Sequence, residues 1–245
     1  FFTNHMVQSY FEQGAHIVLG DVGHSYKGLD ALVAGYYFTY EENNPIKFNP
    51  FYVAPGEVLD IEKKESLKTL LLALWKKEDE SYGRSEYVAI SNAVKLYYEH
   101  LAADRSIFPC FNTFYDFLGK EFKEVLAGSS VKEKDFDLGN LLYVLNPYYR
   151  GGEYDYLLNA TEHLDLLGER FIVFELDNIK DNAILLSVVT IIIMEVFISK
   201  MRKLPKDVRK VILIEEAWKA IAKDGMAEYI KYLFKTVRKF FGEAI

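Results

Sequence analysis

The chain has 245 residues, half of them hydrophobic and 27% charged, with 29 Lys plus Arg against 36 Asp plus Glu and a net charge of −7. That length allows one large domain or two modest ones with a sizeable core, and the acidic balance excludes a basic wrapper of nucleic acid. The single cysteine, Cys110, excludes an intrachain disulfide and every multi-cysteine metal cluster, and makes reducing surroundings the default expectation.

The chain opens on Phe1-Phe2-Thr3 with no initiator Met, basic segment or cleavage site, so it is expected to be a piece of a longer protein. Residues 2–13 read as a helix stopped by Gly14. His16-Ile17-Val18-Leu19 is a short apolar run closed by Gly20-Asp21, as in a strand buried on both faces. Four helical stripes follow. They are Leu67/Leu70/Leu71/Leu74/Trp75, Tyr87/Ile90/Val94/Tyr97/Leu101, Phe114/Phe117/Leu118/Phe122/Val125 and Leu138/Leu141/Leu142/Leu145, the last stopped by Asn146-Pro147. Short turn-prone pieces such as Ser81-Tyr82-Gly83 separate them, which predicts a small bundle of amphipathic helices. Arg170 to Phe174 is a second strand, ending at Glu175-Leu176-Asp177. Asp181 and Asn182 are candidate caps for a long helix through Leu204, ended by Pro205. Its run Val188 to Ile193 favours strand by propensity, but its length and the absence of a turn signal favour helix. The apolar-rich part, Ala183 to Met194, is interrupted by Ser187 and Thr190 and closed by Glu195. It falls short of the roughly 18 apolar residues of a bilayer span. Val211 to Ile214 is a third strand, followed by Glu215-Glu216 and by a helix over about 226–241 with Ile230, Leu233, Phe234, Val237 and Phe241 on its apolar face. Gly242 to Ile245 reads as the first step of a further strand.

Charge divides the same way as pattern. Residues 56–167 carry 13 Lys plus Arg and 20 Asp plus Glu, whereas the flanks carry 16 of each. We therefore expect an acidic all-α helical insertion at 56–167 within an α/β domain of residues 1–55 and 168–245, whose alternating strands and helices imply a covered parallel sheet.

Three constellations carry candidate chemistry. Glu215 and Glu216 crown an apolar strand, and ligands of parallel sheets bind at the carboxyl ends of strands. An acidic pair there suits Mg²⁺ and the polarisation of an attacking water. Taken alone, the pair is read somewhat better as two solvent-facing glutamates opening a helix. Lys231, Lys235 and Arg238 fall at i, i+4 and i+7 with Lys239 beside them. That basic stripe suits a nucleotide phosphate across a subunit boundary, nucleic-acid phosphates, or plain solvation. Asp21-Val22-Gly23-His24-Ser25-Tyr26 is either a crevice segment or an ordinary turn, and composition favours the turn. His5, His16, His24, His100 and His163 have no paired ligand spacing, and Cys110 has no adjacent base. The aromatic turn Tyr148-Tyr149-Arg150-Gly151-Gly152 reads most simply as a packed loop.

Several segments taken in order carry a resemblance. They are Phe1 to His5, Gly20 to Tyr26, Pro45 to Phe51, Phe174 to Asp177, Val211 to Trp218 and Tyr232 to Gly242. With them the chain resembles the ATPase domain of type IV secretion and conjugation motors, specifically the TraG-type proteins of Bacteroides conjugative transposons, which are similar to RecA-like hexameric motors of the FtsK and HerA group. The resemblance implies a RecA-like P-loop NTPase core with a parallel sheet. It also implies a Gly-Lys-Ser or Gly-Lys-Thr phosphate loop just ahead of Phe1 and more strand after Ile245, so that activity belongs to the longer parent chain. ATP and Mg²⁺ are the implied cofactors. The resemblance places Phe1, Phe2, Thr3 and Asp21 at the nucleotide. Glu215 takes the metal position, through water, where the family usually has Asp. Glu216 orients the attacking water, and Arg238, in Thr236 to Gly242, reaches a neighbour's nucleotide. The implied activity is ATP hydrolysis powering channel assembly or substrate transport in a conjugation apparatus. The implied setting is a homo-oligomeric ring at the cytoplasmic face of the inner membrane, beside other channel proteins. A DNA-translocating motor of the same fold and a non-catalytic docking subunit are the alternatives; net charge argues against DNA contact by the insertion.

Overall fold

The computed structural model describes residues 2–41, 46–53, 59–76, 80–129, 131–161, 166–215, 230–231, 233–235 and 237–245. In chain order the elements begin α1 (Phe2–Glu12), β1 (His16–Asp21), α2 (Lys27–Val33), β2 (Tyr36–Thr39), α3 (Ile61–Trp75), α4 (Arg84–Ala103) and α5 (Phe111–Phe117). They continue with α6 (Lys123–Ala127), α7 (Leu138–Leu145), β3 (Phe171–Glu175), α8 (Ala183–Lys203), β4 (Lys210–Ile214) and β5 (Gly242–Ala244). The chain forms two compact units, one of Phe1–Ile46 with Asp165–Ile245 and one of Lys47–Leu164.

The first unit is built on a five-stranded sheet in the order β2-β3-β1-β4-β5, every pair parallel. The central strand β1 is an apolar run because both its faces are covered; Ile17, Val18 and Leu19 are all fully buried. Val7 of α1 is buried in the same cluster, and Met6, Tyr10 and Phe11 pack against it. Gly14, at a φ of 89°, reverses the chain after α1, and the Gly14 and Ala15 amides donate to the Phe11 and Tyr10 carbonyls. Glycine takes that left-handed conformation without the Cβ penalty, which is why the helix stops there.

The strand-prone run Val188 to Ile193 is helical. Asn182 caps α8 by accepting from the Leu185 amide at 3.0 Å, and the Ser187 and Thr190 hydroxyls donate to the carbonyls four residues back at 2.6 and 2.7 Å. Those bonds satisfy two hydroxyls that would otherwise be costly inside an apolar helix. By length and composition α8 would suffice to cross a membrane, but it is mostly buried inside the protein, packed on β1 and β4. It is the core helix of this unit. Phe197 on α8 is fully buried. Phe197→Ala is expected to cost about 3–5 kcal/mol through lost burial and the cavity left behind, read as a fall in the urea unfolding midpoint.

At the amino end of the sheet, Lys200 is fully buried and donates to the carbonyls of Leu166, Leu167 and Glu169 at 2.6, 3.0 and 2.6 Å. Burial, then the Lys200 charge, push His16 down to about 4, so it is a neutral strand residue at pH 7.

Some expectations are corrected. Between Lys27 and Thr39 the structure has α2 and β2, which the sequence pattern did not reveal. β2 has only four residues, all half-buried at a sheet edge, and so carries no apolar signature. The helix expected through 241 gives way to a 3₁₀ turn at Val237–Phe240. Ile230, Leu233 and Val237 are buried, but Phe234 and Phe241 are exposed. Phe241 itself has a φ of 53°, which takes it off the helical path.

In the second unit α3 is not amphipathic, because every residue from Ser66 to Trp75 is buried. Lys68 is accommodated there by Glu65 and by the Tyr87 hydroxyl at 2.8 Å. A π-helical turn at Leu118–Phe122 separates α5 from α6, so Val125 leaves the expected stripe and is exposed. Phe51 stacks on Phe114 at 5.0 Å and meets Tyr97 edge-on at 6.0 Å. That aromatic packing draws residues 47–53 into the helical unit, so the compact units divide at 46/47 and 164/165 rather than at 55/56 and 167/168.

Candidate functional site

The carboxyl ends of β1, β3 and β4 stand side by side because the ladder pairs Asp21 with Glu175 and Gly20 with Ile214. The next amide, that of Glu215, continues the ladder by donating to the Gly20 carbonyl at 2.8 Å. Three carboxylates from distant parts of the chain therefore meet at one sheet edge. Asp21 and Glu175 are fully buried and Glu215 is half-buried.

Their surroundings differ. Glu175 is richly satisfied. Its Oε1 accepts from the Gly23 and Asp177 amides at 3.3 and 2.9 Å, and its Oε2 accepts from the His24 amide and the Tyr37 hydroxyl, both at 2.9 Å. These bonds hold the 22–26 loop in a tight path, with Gly23 and His24 at φ 96° and 58°. The left-handed conformation is uncommon for a residue with a Cβ, and Glu175 supplies the bonds that hold His24 in it. The His24 Nδ1 lies 3.0 Å from the Tyr37 hydroxyl and 3.2 Å from Glu175 Oε2. Tyr37 spends its one proton on Glu175, so Nδ1–H is the donor to both oxygens.

Asp21 is poorly satisfied. Its Oδ2 accepts from the Tyr26 amide at 3.1 Å, but among the described residues its buried Oδ1 has no hydrogen-bond partner. Burial raises its pKa to about 6; the Tyr26 amide opposes the shift, and the charges of Glu175 and Glu215 add to it. The Glu215 carboxyl lies within hydrogen-bonding reach of Asp21. Two facing carboxylates need a proton or a cation between them. Tyr26, buried, donates from its hydroxyl to Glu215 Oε1 at 3.0 Å, and the Thr3 side chain lies close to that hydroxyl. Asn4 Nδ2 donates to the Ser25 carbonyl at 3.0 Å. The first turn of α1 is thus tied to the loop that holds the acidic cluster.

The structure brings Thr3, Asp21 and Glu215 together. Phe2 is 81% exposed and contributes its backbone to α1 rather than a side chain to the cluster. Arg238 is exposed on the 3₁₀ turn beside β5. Phe1 and Glu216 lie outside the described residues. Glu175 and Tyr37 were not expected at the site, and His24 and Tyr26 were expected there only as part of the segment Asp21 to Tyr26. Glu175 did carry a signal, a carboxylate ending an apolar strand, the same signal that marks Asp21 and Glu215.

Among the described residues no group of three or more His, Cys, Asp or Glu is arranged to hold a metal ion by itself. Mg²⁺ commonly takes only one or two protein carboxylates and fills its octahedron with water and substrate phosphates. The Asp21 and Glu215 pair, with one buried oxygen unpartnered, fits that kind of site.

A parallel sheet covered by helices, with carboxylates along its carboxyl edge next to the opening turn of a helix, is an α/β fold. VirB4 of Thermoanaerobacter pseudethanolicus superposes with a TM-score of 0.67 at 18% identity, over 99% of this chain and 64% of that one. The plasmid coupling protein TrwB, in complex with ADP and Mg²⁺, superposes with a TM-score of 0.57 at 12% identity, over 99% of this chain and 58% of that one. A family model, the TraG P-loop domain, matches residues 1–245, and the chain belongs to that family. Protein TraC of Escherichia coli (strain K12) is 20% identical over 244 residues, covering 98% of this chain and 26% of TraC. The chain therefore spans about a quarter of TraC and less than two thirds of the VirB4 and TrwB chains.

Proposed function

We propose that the protein is an ATP-hydrolysing motor subunit of a conjugation or type IV secretion apparatus. It would work as a homo-oligomeric ring at the cytoplasmic face of the inner membrane, with other channel proteins as partners. Membership of the TraG P-loop family supports the reading. The observation that carries it is the acidic edge, where Asp21, whose Oδ1 has no hydrogen-bond partner among the described residues, and the Glu215 carboxyl meet beside the first turn of α1. In this reading Mg²⁺, when bound, neutralises phosphate charge. Glu215 and Asp21 hold it, directly or through water. Thr3 lies at the nucleotide, and Glu216 orients the attacking water and takes up its proton. The helical unit is an insertion that docks protein partners, which suits the acidity of residues 56–167.

The test is ATP hydrolysis by the full-length protein in Mg²⁺ and after chelation. Metal-dependent turnover supports the reading; a protein that neither binds nor hydrolyses nucleotide is a docking subunit. Arg238 is exposed on the 3₁₀ turn, and among the described residues no ion pair holds it; in this reading it reaches the nucleotide of a neighbouring subunit. Arg238→Ala is expected to lower turnover of the oligomer about a hundredfold or more and to leave the circular dichroism melting curve unchanged. The rival DNA-translocating motor draws support from Lys231, Lys235, Arg238 and Lys239, all exposed. Tight single-strand binding that weakens steeply with salt would favour it.

A further inference from the structure

Tyr26 is bonded to both carboxylates of the pair, to one through its backbone and to the other through its side chain. Its backbone amide donates to Asp21 Oδ2 at 3.1 Å and its hydroxyl donates to Glu215 Oε1 at 3.0 Å. The ring is buried at 1% exposure, so its hydroxyl cannot trade these partners for bulk water. Its pKa is raised, by burial first and then by the Glu215 charge, so the phenol keeps its proton and stays a donor. Thr3, in the first turn of α1, lies close to the same hydroxyl. The loop carrying Tyr26 is itself fixed by Glu175, through Gly23 and His24, and by Asn4, through Ser25.

From this geometry we propose that Tyr26 is a positioning residue for a divalent cation. It holds the Glu215 and Asp21 carboxyls at a fixed separation, and so sets the affinity of the pair for the metal. The inference rests on the nucleotide-hydrolase reading only for the identity of the metal, Mg²⁺. The physical basis is general. A carboxylate that accepts a bond from a buried donor loses rotational freedom and presents its remaining lone pairs in one direction. Removal of such an outer partner typically weakens metal binding about 10–100-fold. Asp21 gives independent support, because its second oxygen is buried and unpartnered among the described residues while the first is held by the Tyr26 amide. A rigid pair with one unsatisfied oxygen is arranged to receive a cation.

The experiment uses the full-length protein with ADP and follows Mn²⁺ binding by the loss of its free-ion EPR signal, alongside ATP hydrolysis and thermal melting. Tyr26→Phe keeps the buried ring and removes only the hydroxyl. It is expected to raise the Mn²⁺ dissociation constant about tenfold or more, with ADP binding in chelator unchanged. Thr3→Val, which removes the hydroxyl beside that of Tyr26 without touching the ring, is expected to shift the same constant in the same direction by a smaller factor. It also serves as the test if Tyr26→Phe does not fold. A lowered melting temperature with an unchanged Mn²⁺ constant would show Tyr26 to be a packing residue and overturn the proposal. Wild-type protein that binds no Mn²⁺ would overturn it too. Wild-type protein that binds Mn²⁺ but does not hydrolyse ATP removes the hydrolase reading and leaves the Tyr26 comparison to be decided by the Mn²⁺ constants.

Discussion

Asp21→Asn is expected to make the metal-free protein more stable above pH 7, by about 2–3 kcal/mol, and to abolish the binding of divalent metal. Burial, the first cause, lifts the Asp21 pKa in the folded protein to about 6 from the ordinary 3.8. Because the folded pKa is the higher one, the contribution of Asp21 to stability is fully present below about pH 4 and is lost as the pH rises through 6. Above that the ionised carboxylate is buried against Glu175 and Glu215 with one oxygen unpartnered among the described residues. Asn removes the charge and keeps an oxygen for the Tyr26 amide. Its amide group also supplies a donor toward Glu215. The stability difference between variant and wild type should therefore be near zero at pH 4, grow between pH 4 and 6, and level off above. Urea unfolding in chelator at several pH values measures it. A difference that does not change with pH would show that Asp21 is not the strained group. A residue that destabilises the fold at neutral pH and yet is kept buried is the pattern of a site that trades stability for function.

Glu216→Gln is expected to have the largest effect on turnover, a fall of about a hundredfold or more at unchanged nucleotide affinity. The substitution keeps the size and hydrogen-bonding reach of the side chain and removes its capacity to accept a proton. The sequence places Glu216 directly after Glu215, whose amide is pinned to the Gly20 carbonyl at the end of the β4 ladder. If the two glutamates were only solvent-facing residues opening a helix, as composition alone allows, the rate would not change. Single-turnover hydrolysis with a separate measurement of nucleotide binding distinguishes the two outcomes.

Some of the architecture was legible because its causes are local. β1, β3 and β4 are short apolar runs, and a strand covered on both faces has no polar side to interrupt it. Helix α8 was legible from its cap at Asn182 and its length, even though Val188 to Ile193 prefers strand. Elsewhere local pattern misled. The apolar stripe of α3 suggested a half-exposed helix, but the ten residues from Ser66 to Trp75 are enclosed, Lys68 included, because Glu65 and Tyr87 satisfy its charge. Phe234 and Phe241 fit a helical stripe but are exposed, and Phe241, left-handed after the 3₁₀ turn, is off the helical path. Phe51 looked like part of the flank until its ring was seen stacked on Phe114.

The amino-acid sequence by itself determined the strand and helix runs of the sheet unit and singled out Asp21 and Glu215 as carboxylates ending apolar strands. Those features depend on neighbours a few residues away, through burial pattern, caps and chain stiffness. Only the tertiary structure decided that Glu175 joins them, that Tyr26 spans two of the carboxyls, and that Thr3 lies close to the Tyr26 hydroxyl. These meetings are set by the parallel register of β1 with β3 and β4. That register follows from how the faces of whole elements fit together, and no window of sequence contains it.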